Sequence, residues 1–219
     1  MKKMVVLILL SVFGKMAMAQ LSQNMRINAD PHMIKVVMGE GADYVGSPFL
    51  FDDWRSATVV FNDPSFVNMR VDFKYNMLEN ELLVKNEKGE PGIFRQPVKE
   101  FLVKEGDNIH TYRKGFDGPG LKRAQFVEVL FDGSLTFIKA KIKSVVESRG
   151  YNTSKVEKKI DESTQYYFVK DKDVKEIRLN EKVILDYLQS PAANSYVKEN
   201  KLNLKNENDV VSLLRNVIK

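Results

Sequence analysis

The segment FLFDDWR, Phe49 to Arg55, collects the residue types best able to do chemistry in this chain: two adjacent carboxylates, Asp52 and Asp53, then Trp54, the single tryptophan, then Arg55. Two carboxyl groups about 5 Å apart, or about 6.5 to 9.5 Å apart, suffice for glycoside hydrolysis. Asp52 and Asp53 are therefore the catalytic candidates, and Trp54 with Arg55 the candidate platform on which a sugar could stack. A plainer reading competes. Among 29 acidic residues, loop and strand-end acids such as Glu79, Glu81, Asp117 and Asp132 are expected by chance. An indole also buries enough apolar area to serve as a core residue at a strand end. The sequence favours a core tryptophan beside a solvated acid pair.

Other chemistries find less support. Nucleophile-and-base sites need a histidine beside a serine or cysteine, and the chain has two histidines, His32 and His110, and no cysteine. His110 falls in the strand-like NIHTYRK and His32 in a poorly patterned stretch, so neither is expected to be catalytic. G-x-S-x-G, H-E-x-x-H and P-loop motifs do not occur. DKDVKE, Asp171 to Glu176, offers three carboxylates but lacks the glycine turn and ligand density of a calcium loop. KGFDGPGLKR, Lys114 to Arg123, has basic flanks but no helix start to supply amides to an anion, and reads as a long hairpin tip. No metal and no cofactor is expected. The one basic concentration runs through Lys139, Lys141 and Lys143 to Lys158 and Lys159. It could attract lipopolysaccharide, an anionic lipid or an acidic partner. Alternating lysines more often protect a sheet edge from unwanted pairing.

Period-2 strands are the elements that must position these residues. From Ser47 to Val146, short runs of Val, Phe, Ile and Tyr alternate with Gly, Asn, Asp and Pro clusters. In MRVDFKYN, Met69, Val71, Phe73 and Tyr75 point one way and Arg70, Asp72 and Lys74 the other. ELLVK follows the turn NMLEN, so these two strands are expected to pair antiparallel with one dry and one wet face. ATVVFND, EFLVK, NIHTYRK, AQFVEVLFDG and SLTFIKAKIKSVV supply further strands, the last two joined through Asp132-Gly133, a hairpin signal. Six or seven strands in an antiparallel meander would curve into an open barrel or a twisted sheet. LNEKVILDYLQ and ENDVVSLLRNVIK then show helical spacing, with Pro191 as a break and Asn206 as an N-cap. The class is α+β, mainly β: a meander followed by two or three short C-terminal helices.

The N-terminus MKKMVVLILLSVFGKMAMAQ has the charged, apolar and small-residue zones of a secretory signal peptide ending at Ala19. The expected organisation is residues 1–19 signal, 20–46 lead segment, 47–170 β domain and 171–219 helical segment. Removing residues 1–19 removes three lysines and no acid, lowering the formal net charge from +5 to +2. That balance offers no concentrated footprint for nucleic acid. No later apolar run approaches the roughly 20 residues of a membrane span, so no transmembrane anchor is expected after signal removal.

GSPFLFDDWRSATVVFND, VDFKYNMLENELLVK, VLFDGSLTFIKAK and the tail SYVKENKLNLKNENDVVSLLRNV together resemble a group of uncharacterised secreted proteins common in the Bacteroidota. The resemblance spans residues 46 to 217, and Val197, Asn200, Leu202, Leu204, Asp209, Val210 and Leu213 fit its tail pattern. It implies an envelope location, periplasmic or secreted, and a β-then-helix order. It carries over no catalytic or binding residue. The reading that follows is a non-catalytic envelope protein binding another protein or an envelope component such as a glycan. The alternatives are a carboxylate-dependent hydrolase acting on glycans through Asp52 and Asp53, and a binder of anionic lipid or lipopolysaccharide through Lys139, Lys141 and Lys143.

Overall fold

A computed structural model describes residues 33–35, 44–149 and 156–218. The expected signal peptide, His32 and most of the lead segment lie outside the described residues. The strands are β1 (Met33–Lys35), β2 (Arg55–Phe61), β3 (Met69–Asn76), β4 (Glu81–Lys85), β5 (Pro91–Phe94), β6 (Val98–Glu105), β7 (Asn108–Arg113), β8 (Val127–Phe131), β9 (Thr136–Arg149), β10 (Val156–Lys170) and β11 (Asp173–Ile177). Three helices follow, α1 (Glu181–Leu188), α2 (Pro191–Asn200) and α3 (Glu207–Val217). The strands form one open sheet in the order β1-β5-β4-β3-β2-β6-β7-β8-β9-β10-β11, and every neighbouring pair is antiparallel. The α+β class with a β-meander and C-terminal helices is the one the sequence indicates.

The alternation read in MRVDFKYN is the burial pattern of β3, where Phe73 and Tyr75 are buried and Asp72 is exposed. The turn to β4 is built by Asn76, whose Oδ1 accepts from Leu78 N at 3.1 Å and Glu79 N at 3.3 Å. The meander departs from chain order twice: β1 pairs with β5 and not with β2, and β6 does not pair with β5. After β5 the chain returns to pair β6 with β2, through residues 95–97 alone. So short a connection forces β2 to β5 to curl until their ends meet, and the rings of Phe61 and Phe94 pack edge-on at 5.0 Å.

Register ties the halves of the sheet together. Val59, Phe101, Tyr112, Glu128, Lys139, Tyr166 and Ile177 are successive cross-strand partners from β2 through β6 to β11, and so share one face. At the β2 end this face is the core inside the curl, around Phe73, Tyr75, Phe101 and Phe126. At the β11 end it is the core under the helices, where Phe137 and Phe168 meet Ile184, Val197, Leu204, Val210, Leu213 and Leu214. The opposite face of β8 to β11 carries a third core of Val127, Ile138, Ala140, Tyr167 and Val174.

Several expectations change. The glycine-proline loop of residues 114–123 folds back over that third core instead of forming an extended tip: Leu121 is buried, and Tyr167 Oη donates to the Pro119 carbonyl at 2.9 Å. β9 lies between β8 and β10, so its lysines do not protect a sheet edge. The sheet also runs past residue 170 into β11, and the helices begin at Glu181. The helix starts are capped as their sequences allow, by Asn180 onto Lys182 N at 3.0 Å, Ser190 onto Ala193 N at 3.3 Å, and Asn206 onto Asn208 N at 2.9 Å. Asp209 accepts from Asn203 N at 2.8 Å and so braces the loop before α3.

A strap formed by residues 45–50 laces the long β9–β10 arm to β3. Val45 N donates to the Lys158 carbonyl at 2.8 Å, and Met77 N donates to the Pro48 carbonyl at 2.8 Å. Between them Lys143 Nζ donates to the Ser47 and Phe49 carbonyls at 2.9 and 2.7 Å. Gly46, at φ +111°, passes so close to the arm that a Cβ there would lie 3.3 Å from Ile160 Cβ.

Candidate functional site

The most connected group of charged side chains lies at the seam between the two cores of the shared face. Lys139 Nζ stands 2.8 Å from Glu128 Oε2 and 3.2 Å from Glu207 Oε1 on α3. His110 Nδ1 lies 2.6 Å from the other Glu128 oxygen, and Tyr166 Oη donates to Glu207 at 3.3 Å. Burial pushes the Glu128 carboxyl up, but hydrogen bonds from His110 and Lys139 and their charges outweigh it, leaving the group below its usual 4.5. Burial pushes the Lys139 ammonium down, and Glu128 and Glu207 reverse this, leaving it above 10.5. Both groups are held charged, away from the neutral range in which a general acid or base is efficient. The space beside them, lined by Tyr75, Tyr112 and Phe126, is about 10 Å³, room for one water and no substrate. The seam is a structural joint.

The remaining lysines of the β9 stripe share one carboxylate. Lys141 and Lys143 flank Glu162 at 3.4 and 3.5 Å, and Lys143 is further committed to the strap. The stripe is thus three ammoniums matched to carboxylates of β8, β10 and α3. Among the described residues no group of three or more His, Asp or Glu side chains could hold a metal ion, and DKDVKE forms the turn after β10 and the start of β11.

Trp54 is half-buried and stands on the outer face of the curl, away from the core in which the sequence placed it. Its ring centroid is 5.9 Å from Lys74 Nζ and 4.8 Å from Lys85 Nζ, and Lys74 Nζ is also 4.8 Å from the Phe49 ring. Lys74 is the cross-strand partner of Leu83, a leucine of the same face that is only 4% exposed. Strand alternation put Lys74 and Lys85 on a wet face; it did not reveal that residues 49–54 would lie across them. Arg55 does not join the rail. Its guanidinium lies 4.3 Å over Phe51 and pairs with Glu105. Asp52 and Asp53 are exposed, and neither side chain makes a hydrogen bond or ion pair among the described residues.

The curl leaves an open cleft of about 460 Å³ at its end, which the sequence reading missed. Phe61, Phe66 and Phe94 wall it, with Phe66 5.8 Å from Phe61. Val67, 81% exposed, and Met69 stand at the rim, and Ser65 and Gln96 are the polar residues of the lining. One signal was available: SFVN places Phe66 and Val67 in a connection between strands, where no alternation calls for apolar residues. The cleft volume lies in the usual range of small-molecule sites. No protein-family model, no curated protein and no solved structure matches the chain.

Proposed function

We propose that the protein is a non-catalytic binding module of the cell envelope and that the cleft receives the acyl chain of an envelope lipid. The observation that carries this reading is the aromatic, open cleft of Phe61, Phe66 and Phe94, with apolar residues exposed at its rim. Its chemistry selects the occupant. A sugar or an extended peptide would bring hydroxyls or amides that Ser65 and Gln96 alone could not satisfy, at a cost of about 1 to 3 kcal/mol for each unpaired group. A hydrocarbon chain brings none. The export expected from residues 1–19 would put the protein among such lipids, and the sealed seam offers no competing catalytic site.

Calorimetric titration with octanoate, decanoate and dodecanoate tests the proposal. Each buried methylene contributes about 0.8 kcal/mol, so affinity should rise roughly tenfold for every two carbons. Val67→Asp, on a residue exposed enough to change without disturbing the core, should abolish the trend. Affinity independent of chain length, or unchanged in Val67→Asp, would reject the cleft as an acyl site. Preferential uptake of an apolar peptide would reassign it to a protein partner.

A further inference from the structure

The cations that lie open to a ligand are not those of the β9 stripe. Lys139 is paired with Glu128, and Lys141 and Lys143 share Glu162. Lys74 and Lys85 have no carboxylate within ion-pair distance among the described residues; their partners are aromatic rings. A ring holds an ammonium in place through its quadrupole without cancelling its charge. Two fixed, unneutralised ammoniums therefore flank a half-buried indole.

We propose that the rail Phe49, Lys74, Trp54 and Lys85 is a binding site for an acidic saccharide. The exposed part of the indole takes the C–H face of a sugar ring, and the ammoniums of Lys74 and Lys85 take its carboxylate or other anionic substituent. The exposed acids near the rail, Asp52, Asp53 and Asp72, narrow the ligand class. They oppose a bare phosphate, which has only charge to offer, and they accept hydrogen bonds from the hydroxyls of a sugar. A ligand with many hydroxyls and one localised negative charge satisfies both sets of groups. The site is on the outer face of β3 and β4, while the cleft opens from the inner one, so the two readings stand or fall separately.

Trp54 is the single tryptophan, so emission excited beyond the absorption of the eight tyrosines reports on this site alone. The experiment titrates the protein with oligogalacturonate and, in parallel, with the corresponding neutral galacto-oligosaccharide. The expected result is a saturable change in emission with the acidic sugar, at least tenfold weaker with the neutral one and in the Lys74→Gln, Lys85→Gln double variant. Binding by the wild-type protein should also weaken as salt rises from about 50 to about 500 mM, because screening acts on exposed charges. That salt series decides the matter even if the double variant fails to fold. No emission change with the acidic sugar, equal affinity for the neutral sugar, or binding indifferent to salt and to both lysines would overturn the proposal.

Discussion

Glu128 and Lys139 face each other across β8 and β9, carboxylate to ammonium at 2.8 Å, where the shared face of the sheet passes from one apolar core to the next. To one side of the pair stand Tyr112, Phe101 and Val59, and to the other Tyr166 and Ile177. The pair keeps two cores distinct on one continuous sheet, and Glu207 extends it to the helices. Removing one partner leaves the other buried without its main counter-charge, which typically costs about 3 to 5 kcal/mol. Lys139→Met is expected to destabilise the protein by about 3 kcal/mol, measured by urea denaturation. Glu128→Gln, Lys139→Met should lose less than the two single changes combined.

The same pair sets a pH window. The Glu128 carboxyl is lower in the folded protein than its ordinary 4.5, so its stabilisation is present above that pH and is lost as pH falls through the folded value. At the other extreme Lys139 sits above 10.5, and burial pushes the phenols of Tyr75 and Tyr167 from 10.0 to about 12. These contributions are full below the ordinary values and are lost as pH rises through the shifted ones. Melting temperatures should therefore hold a plateau between roughly pH 5 and 10 and fall on both sides. In Glu128→Gln the acid limb should be shallower.

Gly46 is the third point of leverage. Its φ of +111° is a conformation that favours glycine, and any Cβ would press on Ile160. Gly46→Ala is expected to cost about 1 to 3 kcal/mol and to loosen the strap before the rest of the fold. Hydrogen exchange at the Ile160 amide, which donates to the Val45 carbonyl, should accelerate more than exchange at Val59 in the centre of the sheet.

How much of this was legible in the sequence depended on how far apart the interacting residues lie. The alternation of β3, the Asp132-Gly133 turn and the Asn206 cap are local statements, and local chemistry was enough to read them. β5 and β11 were not legible. PGIF opens on a proline and contains a glycine, and the five residues of DVKEI have three charges; both are strands because neighbours pair with them. The lysine stripe was legible as a stripe, but its neutralisation was not. Glu128, Glu162 and Glu207 meet it through sheet register and helix docking, which spacing along the chain does not encode. Trp54 was misplaced for the same reason, since an indole suits a core as well as a rail of lysines.

The strap carries a kinetic consequence. Lys143 closes it with hydrogen bonds to carbonyls 96 and 94 residues earlier in the chain. Contacts of such separation form late, after loop closure has been compensated by nearer pairings. A chain made from its N-terminus therefore completes residues 45–50 early and can lock them only after β9 and β10 exist. Between the pairing of β9 with β10 and that closure, the unlatched strap leaves the backbone edge of the arm beside Val45 open to a strand from another molecule. Closing the strap and covering that edge are then the same event.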